Sequence, residues 1–139
     1  MRKSLPCRVV LDTNVLLSAI LFGGYPRTIL ESAKKRDLHL VTSKALLLEA
    51  ANVLSKKFAW SSSDIQDVVQ GVDVFAEVIA THSKLRVIKN DPSDNMVLEC
   101  ALDGRAEVII SGDKRHVLPL KRFRNIPILS PATFVRKYL

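Results

Sequence analysis

Short apolar runs alternate with stretches of helical periodicity along the chain, and this alternation limits the possible folds more than any other feature. The first run, Val9-Val10-Leu11, is followed at once by an apolar pattern of helical spacing that begins at Val15. The strand pattern returns at residues 38–41, 85–88, 107–110 and 126–129. Because strands that alternate with helices pair in parallel, the sequence predicts an α/β fold with helices on both faces of a parallel sheet.

Two details of this prediction concern element boundaries. Apolar residues at helical spacing from Ile65 predict one long helix that continues to Ala80, with Ser63 as its N-cap. The strand at 126–129 is expected at an edge of the sheet, because Pro127 has no amide hydrogen for a strand ladder.

The length of 139 residues predicts a single domain that spans residues 1–139. No apolar run reaches the ~18 residues that a membrane span requires. The apolar stretch that follows Arg2 and Lys3 is interrupted by Asp12, so no signal peptide is expected either. Cys7 and Cys100 are too few for a disulfide framework or a zinc site, which favours reduced thiols and a cytoplasmic location.

The charge balance is strongly basic, with a formal net charge of +7 and a pI of about 9.7. Such a balance indicates a polyanionic partner, nucleic acid first, although a solvated basic surface without a partner also explains it. Lys121, Arg122 and Arg124 surround Phe123, and cations interleaved with an aromatic ring are a weak indication of nucleic-acid binding. A solvated loop is the alternative.

Four carboxylates are predicted to converge at one edge of the sheet. Asp12 and Asp113 come directly after predicted strands, and Asp94 begins the helix that follows the run ending near Asn90. Glu49 lies about two turns into the helix after the second strand, close enough to lean over the same edge. In open α/β sheets, ligands bind at the carboxyl ends of the strands. This edge is therefore the candidate functional site.

Each acidic residue also has a structural interpretation. Asp12 is a plausible helix cap, Glu49 can be a solvated border residue, and Asp91 and Asp94 suit the first turn of a helix. Convergence from four α/β units favours the site, because carboxylates in contact repel one another unless one is protonated or a cation binds. Oxygen ligands select Mg²⁺ or Mn²⁺, and a divalent ion in a basic protein suits phosphodiester hydrolysis.

The histidines are not expected to contribute. His39, His82 and His116 are scattered, and spacing places none of them as a general base. His116 is nearest to the site in sequence but is expected on a surface turn.

The segments that carry the acidic residues resemble the PIN domain family. They are Val-Val-Leu-Asp12-Thr13-Asn14, Ser43-Lys-Ala-Leu-Leu-Leu-Glu49, Asp91-Pro-Ser-Asp94-Asn95 and Ser111-Gly-Asp113-Lys114. The likeness covers nearly the whole chain and is closest to small prokaryotic PIN proteins regarded as toxins of toxin–antitoxin systems. It implies a three-layer α/β/α sandwich around a central parallel sheet, and a Mg²⁺- or Mn²⁺-dependent ribonuclease.

The resemblance also assigns roles to individual residues. The acidic catalytic and metal-binding residues implied by it are Asp12, Glu49, Asp94 and Asp113. The polar residues that would orient them are Thr13, Asn14, Asn95 and Ser111. The resemblance further implies RNA as the substrate, a cognate antitoxin that blocks the acidic groove, and a homodimer.

The chain departs from the family pattern at one position. Close relatives often read Gly-Asp-Lys-Asp where this chain has Gly112-Asp113-Lys114-Arg115, so a cation replaces a carboxylate and a second metal is less expected than the first. Arg115 is a candidate for a phosphate contact or for a salt bridge with a neighbour. The full set of candidate nucleic-acid contacts is Lys114, Arg115, Lys121, Arg122 and Arg124.

Two other functions compete with the ribonuclease. A non-catalytic PIN-fold module for nucleic-acid or protein binding would keep the fold and the basic surface, but loss of acidic ligands is the expected mark of such a module. A phosphatase with Asp12 as nucleophile would need a second acid two residues later, where Asn14 stands.

Overall fold

The structure, a computed structural model, describes residues 7–88 and 92–139. Six strands of the described residues form one sheet in the order β3-β2-β1-β4-β6-β5. The strands are β1 (Arg8–Leu11), β2 (His39–Ser43), β3 (Glu77–Ile79), β4 (Val108–Ile110), β5 (Arg122–Phe123) and β6 (Ile126–Leu129). All neighbouring strands pair in parallel except β5, which is antiparallel to β6. The predicted parallel sheet is thus confirmed.

Helices cover both faces of the sheet, as the alternation predicts. They are α1 (Thr13–Leu21), α2 (Gly24–Lys34), α3 (Lys44–Phe58), α4 (Ser62–Phe75), α5 (Pro92–Asp103) and α6 (Pro131–Tyr138). Side chains alternate across β1: Val9 and Leu11 join the core beneath α1, α2, α3, α4 and α6, while Val10 joins the core beneath α5. These two cores make the α/β/α sandwich. No helix of the described residues is both long and apolar enough to cross a membrane.

The strand order reverses between β1 and β4. From β1 the chain runs outward through β2 to β3, and then it returns to build β4, β6 and β5 on the other side. In open α/β sheets, a crevice forms at the carboxyl ends of the strands where the order reverses, and ligands bind there. Asp12 directly follows β1, and Ser111 directly follows β4. The topology therefore places both residues at this crevice.

The prediction of one helix from Ile65 to Ala80 is wrong. Helix α4 ends at Phe75, and β3 follows at Glu77–Ile79, where Val78 pairs in parallel with Thr42 of β2. β-Branched side chains suit a pleated strand better than a helix. The apolar residues of the short strand β3 continue the helical spacing of α4, so the sequence pattern does not separate the two elements.

The prediction of a strand at 85–88 is also wrong. Residues 82–88 run beside α5, and side chains from one row of that helix accept their amide hydrogens. The bonds join His82 N and Ser83 N to Asp103 Oδ2 (2.7 and 2.9 Å), Leu85 N to Glu99 Oε2 (2.8 Å) and Ile88 N to Asn95 Oδ1 (3.0 Å). Side chains thus satisfy amides that a strand ladder would otherwise satisfy.

Two smaller expectations also differ from the structure. Ser61, rather than Ser63, caps α4, because its Oγ accepts a hydrogen bond from Asp64 N at 3.0 Å. The strand at 126–129 is not at the edge of the sheet, since β5 pairs with its outer side. Pro127 is tolerated there because the residues of β6 that pair with β4 begin at Ile128, one residue after the proline.

Helix α5 ends against β2. Gly104 follows the helix, as predicted, and a Cβ atom there would lie 2.6 Å from Val41 Cγ1 and 2.8 Å from the carbonyl oxygen of Cys100. Glycine is required by this close approach, which seats the C-terminal end of α5 on the sheet. The predicted cap residue of the same helix, Asp91, lies outside the described residues.

Candidate functional site

A cleft of about 360 Å³ lies at the crevice between β1 and β4, and all four predicted carboxylates line it. The N-terminus of α1 contributes Asp12, α3 contributes Glu49, the first turn of α5 contributes Asp94, and the loop after β4 contributes Asp113. Thr13 and Asn14 of α1 and Lys57 of α3 line it as well. The cleft therefore gathers side chains from four separate parts of the chain.

Asp12 is both the cap of α1 and a residue of the cleft. Its Oδ1 accepts a hydrogen bond from Val15 N at 2.8 Å, and its Oδ2 accepts one from Ser111 Oγ. The residue is only 7% exposed. Burial raises the pKa of the Asp12 carboxyl, although the hydrogen bonds from Ser111 and Val15 oppose the rise. The capping interpretation is thus correct, and it holds the carboxylate at the site.

Ser111 links the loops that follow β1 and β4. Its fully buried hydroxyl donates to Asp12 and accepts a hydrogen bond from Asp113 N at 3.0 Å. Asp113 Oδ1 in turn accepts from the amides of Arg115 (2.9 Å) and His116 (3.3 Å). Although burial opposes it, these hydrogen bonds and the charge of His116 lower the pKa of Asp113. Asp113 is therefore held as a carboxylate.

His116 joins the acidic group, contrary to the expectation that the histidines do not contribute. It lies on an exposed turn, as predicted, but its Nδ1 is 2.7 Å from Asp94 Oδ2 and 3.9 Å from Asp113 Oδ2. Ligand atoms of these three residues all lie within 4.8 Å of one another, and among the described residues Asp12 and Glu49 are not part of this tight group. The expectation of oxygen ligands alone stays a prediction, and His116 offers a nitrogen beside them.

Helix α3 contributes a carboxylate and a cationic side chain to the cleft. Glu49 is half-buried rather than solvated, and Lys57 lies two turns further along the same helix. Lys57 is not among the site residues predicted from the sequence, although its spacing from Glu49 and Val53 at four-residue intervals places the three on one helix face. His116 was missed because a turn has no periodicity that would show where its side chains point.

The donor set of the cleft fits a divalent cation. Four carboxylates share one small space, which favours a bound cation that offsets their repulsion. Thr13 also lines the cleft, is 7% exposed, and its Oγ1 has no hydrogen-bond partner in the part of the chain that the structure describes. A buried hydroxyl of this kind is expected to meet a ligand or its water shell.

Asn95, predicted to orient the acidic residues, has a different position. It is buried, and its side-chain amide accepts from Ile88 N at 3.0 Å and donates to Ile88 O at 2.7 Å. It does not line the cleft. These bonds anchor residues 82–88 to the start of α5, next to Asp94.

The candidate phosphate contacts lie outside the cleft. Lys114 and Arg115 are exposed on the turn after Asp113, and Arg115 forms no salt bridge with any residue of 7–88 or 92–139. Arg122 donates to the carbonyl oxygen of Asn125 at 3.2 Å. The guanidinium of Arg124 lies 5.4 Å from the Phe123 ring centre, and Lys121 is exposed. Lys121, Arg122 and Arg124 thus lie around the hairpin of β5 and β6.

Comparison with known proteins gives a family and a fold. The family model described as PIN domain matches residues 8–115, which include all four carboxylates. No protein with curated annotation matches the chain significantly.

Three solved structures share the fold. VapBC2 from Rickettsia felis, crystallised with a DNA fragment from its promoter, is 21% identical with a TM-score of 0.61, over 87% of this chain and 96% of that one. PAE2754 from Pyrobaculum aerophilum is 14% identical with a TM-score of 0.56, over 96% and 90%. The PIN domain endonuclease Utp24 is 18% identical with a TM-score of 0.51, over 90% and 85%. At these identities the likeness shows a shared fold alone.

Proposed function

This chain belongs to the PIN domain family, whose members are generally nucleases, and from that premise we propose that it is a metal-dependent endoribonuclease. The observation that carries the proposal is the convergence of Asp12, Glu49, Asp94 and Asp113 on one cleft. The cleft is acidic, yet the chain as a whole has a net charge of +7. An acidic site that binds cations, within a basic protein that attracts polyanions, suits hydrolysis of RNA phosphodiester bonds.

Asp12, Asp94 and Asp113 would hold a Mg²⁺ or Mn²⁺ ion, with Glu49 as a further ligand or as the base that orients the attacking water. When bound, the ion supplies an activated water and positive charge that offsets the charge of the phosphate. The Ser111 hydroxyl donates to the Asp12 carboxylate and accepts from the backbone amide of Asp113, and Thr13 and Asn14 line the cleft beside Asp12.

Basic side chains would hold the RNA backbone. Lys57 is the cation that lines the cleft among residues 7–88 and 92–139, and we assign it to the phosphate next to the cleaved bond. The exposed cations on the turn and the β5–β6 hairpin would contact phosphates further along the strand; they are Lys114, Arg115, Lys121, Arg122 and Arg124.

RNA cleavage by the purified protein tests this proposal. Cleavage should require Mg²⁺ or Mn²⁺, stop in EDTA, and fall by about 100-fold or more in Glu49→Gln, which removes the proposed base or ligand. Glu31→Gln is the matched control, because Glu31 is exposed on α2 and pairs with Lys34 away from the cleft. Cleavage that persists in EDTA, or a wild-type rate in Glu49→Gln, would contradict the proposal. RNA binding without cleavage would favour the non-catalytic module.

We further propose that the protein is the toxin of a toxin–antitoxin pair, that it forms a homodimer, and that it acts in the cytoplasm. VapBC2, which shares the fold, is one support for the first part. Cys7 and Cys100 are buried thiols, and burial raises the pKa of Cys100 to about 12, so both suit packing in a reducing compartment. Expression of the wild-type chain in a bacterial host should arrest growth, and Glu49→Gln should not.

A further inference from the structure

We infer that His116 is a nitrogen ligand of the metal ion, and that the site therefore favours Mn²⁺ over Mg²⁺. The inference rests on the proposed function, because it adds a ligand to the same metal site. It also assigns a role to a residue outside the acidic set that the resemblance implies.

The distances around His116 suit a shared ion. Its Nδ1 lies 2.7 Å from Asp94 Oδ2 and 3.9 Å from Asp113 Oδ2, and all three ligand atoms lie within 4.8 Å of one another. Ligands at about 2.1 Å from an octahedral ion are about 3 Å from their neighbours and about 4.2 Å from the ligand opposite. Both separations from Nδ1 therefore lie within about 0.3 Å of those expected between ligands of one ion.

Hydrogen bonds and a buried neighbour fix the backbone of the turn that carries His116. Asp113 Oδ1 accepts the amide hydrogens of Arg115 and His116, and the Asp113 carbonyl accepts that of Leu118 at 2.9 Å. Val117 is 1% exposed and joins the core beneath α5, which anchors the turn. The imidazole itself is 48% exposed, so it can rotate into coordination without disturbing the core.

A second, independent feature of the cleft also indicates a ligand there. Thr13 is buried in the same cleft, and its Oγ1 has no hydrogen-bond partner within the described ranges. A buried hydroxyl without a hydrogen-bond partner indicates an ion or a water nearby. Asp94 and Asp113, which form the tight group with His116, thus line the same cleft as this buried hydroxyl.

An imidazole ligand changes which ion the site prefers. Mg²⁺ favours oxygen ligands and loses its water reluctantly, whereas imidazole binds transition metals well. Replacing one oxygen or water ligand by His116 therefore strengthens binding of Mn²⁺ relative to Mg²⁺. If His116 were only a counter-ion to Asp94, a metal would have to displace it, and removing the ring would tighten Mn²⁺ binding instead.

Pulsed EPR of the Mn²⁺-loaded full-length protein tests the inference directly. We expect ¹⁴N modulation from a coordinated imidazole in the wild-type protein and its loss in His116→Gln. His82→Gln is the matched control, because the His82 side chain is 84% exposed and lies beside Asp103 rather than the cleft. Labelling the wild-type protein with ¹⁵N-histidine should also remove the ¹⁴N modulation, without any substitution.

Calorimetric titration with each ion gives the second readout. His116→Gln should weaken Mn²⁺ binding by about 10-fold or more and change Mg²⁺ binding little. Mn²⁺ binding that requires Asp94 but shows no nitrogen modulation, or that tightens in His116→Gln, would overturn the inference and leave the metal site standing. A wild-type protein that binds neither ion would overturn the inference and the metal-dependent function together.

Discussion

At the scale of single residues, Asp12 shows how a structural role and a site role coincide in one side chain. One carboxylate oxygen caps α1 through Val15 N, and the other accepts from Ser111. Neither bond requires a full negative charge, and burial raises the pKa of this carboxyl because it disfavours the ionised form. The charge therefore costs stability in the absence of a cation, which is the expected signature of a ligand.

Replacing Asp12 by Asn separates the two roles. Asparagine caps a helix about as well as aspartate, so the free energy of unfolding without metal should stay within about 1 kcal/mol of the wild type. Mn²⁺ binding should fall steeply, because the amide offers a neutral oxygen. Thermal melting and Mn²⁺ titration are the measurements. A variant that unfolds much earlier but binds Mn²⁺ like the wild type would make Asp12 a cap alone.

The sequence was informative about site residues that follow strands and less so about those on turns. Asp12 and Asp113 could be placed because strand ends meet at one edge of a parallel sheet. His116 could not, since its position depends on the hydrogen bonds of the turn around Asp113. Asn95 was assigned to the acidic site, but its amide anchors Ile88, a contact that spacing cannot reveal.

At the scale of elements, α5 positions both the site and the segment beside it. Asp103 accepts hydrogen bonds from the amides of His82 and Ser83 and from the Ser83 hydroxyl. Although burial opposes ionisation, these bonds lower the pKa of Asp103 from its ordinary value of 3.8. A carboxylate whose pKa is lower in the folded chain than in the unfolded chain stabilises the fold. This contribution is fully present at a pH above the unfolded-state pKa, and it is lost as the pH falls through the folded-state pKa.

Asp103→Asn should therefore change how the free energy of unfolding depends on pH under acidic conditions. At pH 6 the variant should be less stable by about 1 kcal/mol, and its deficit should shrink as the pH approaches 3. Asp73→Asn, an exposed substitution on α4, is the control and should follow the wild type at every pH. Urea unfolding from pH 3 to 7 measures all three proteins. A constant difference between Asp103→Asn and the wild type would contradict this account.

The close approach of α5 to β2 gives a second prediction at this scale. Gly104→Ala should destabilise the fold by about 1–3 kcal/mol, because its Cβ would meet Val41 and the carbonyl of Cys100. Gly71→Ala is the matched control: nothing lies within 4 Å of its added Cβ, and alanine in helix α4 should stabilise by about 0.5–1 kcal/mol. Equal urea midpoints for the two variants would show that α5 does not approach β2 so closely.

The elements that the sequence predicted correctly are those with a pattern of their own. Strands β1 and β4 are buried apolar runs, and α3 has both a clear stripe and a capping serine at Ser43. Strand β3 continues the apolar spacing of α4, so no local signal separates it. Residues 82–88 include side chains that favour a strand, but side chains of α5 accept the amide hydrogens that a neighbouring strand would otherwise bind. Its conformation is decided by tertiary contacts.

At the scale of the whole molecule, the acidic cleft lies within a chain of net charge +7. In the proposed function the two charge signs have separate tasks: the carboxylates would bind the ion, and the cations outside the cleft would bind the RNA backbone. Binding of single-stranded RNA should therefore weaken with salt, with a slope of about −0.7 in log K against log salt for each phosphate that the protein neutralises.

A double variant of the β5–β6 hairpin checks this separation. Arg122→Gln with Arg124→Gln should flatten the salt slope by about 0.7 for each phosphate that the variant no longer neutralises. Lys34→Gln with Lys35→Gln, at the end of α2 and away from the cleft, should leave the slope unchanged. Binding is measured in EDTA so that no cleavage occurs. If the hairpin variant keeps the wild-type slope, these arginines do not bind RNA phosphates.

Anomalous diffraction from crystals soaked in Mn²⁺ would show whether the carboxylates of this cleft hold a divalent metal ion, as proposed. The account predicts an anomalous peak in the cleft, beside Asp94 and Asp113, in crystals of the wild-type protein. The peak should disappear in crystals of Asp94→Asn soaked in the same way. A cleft without an anomalous peak at saturating Mn²⁺, or an equal peak in the variant, would contradict the claim.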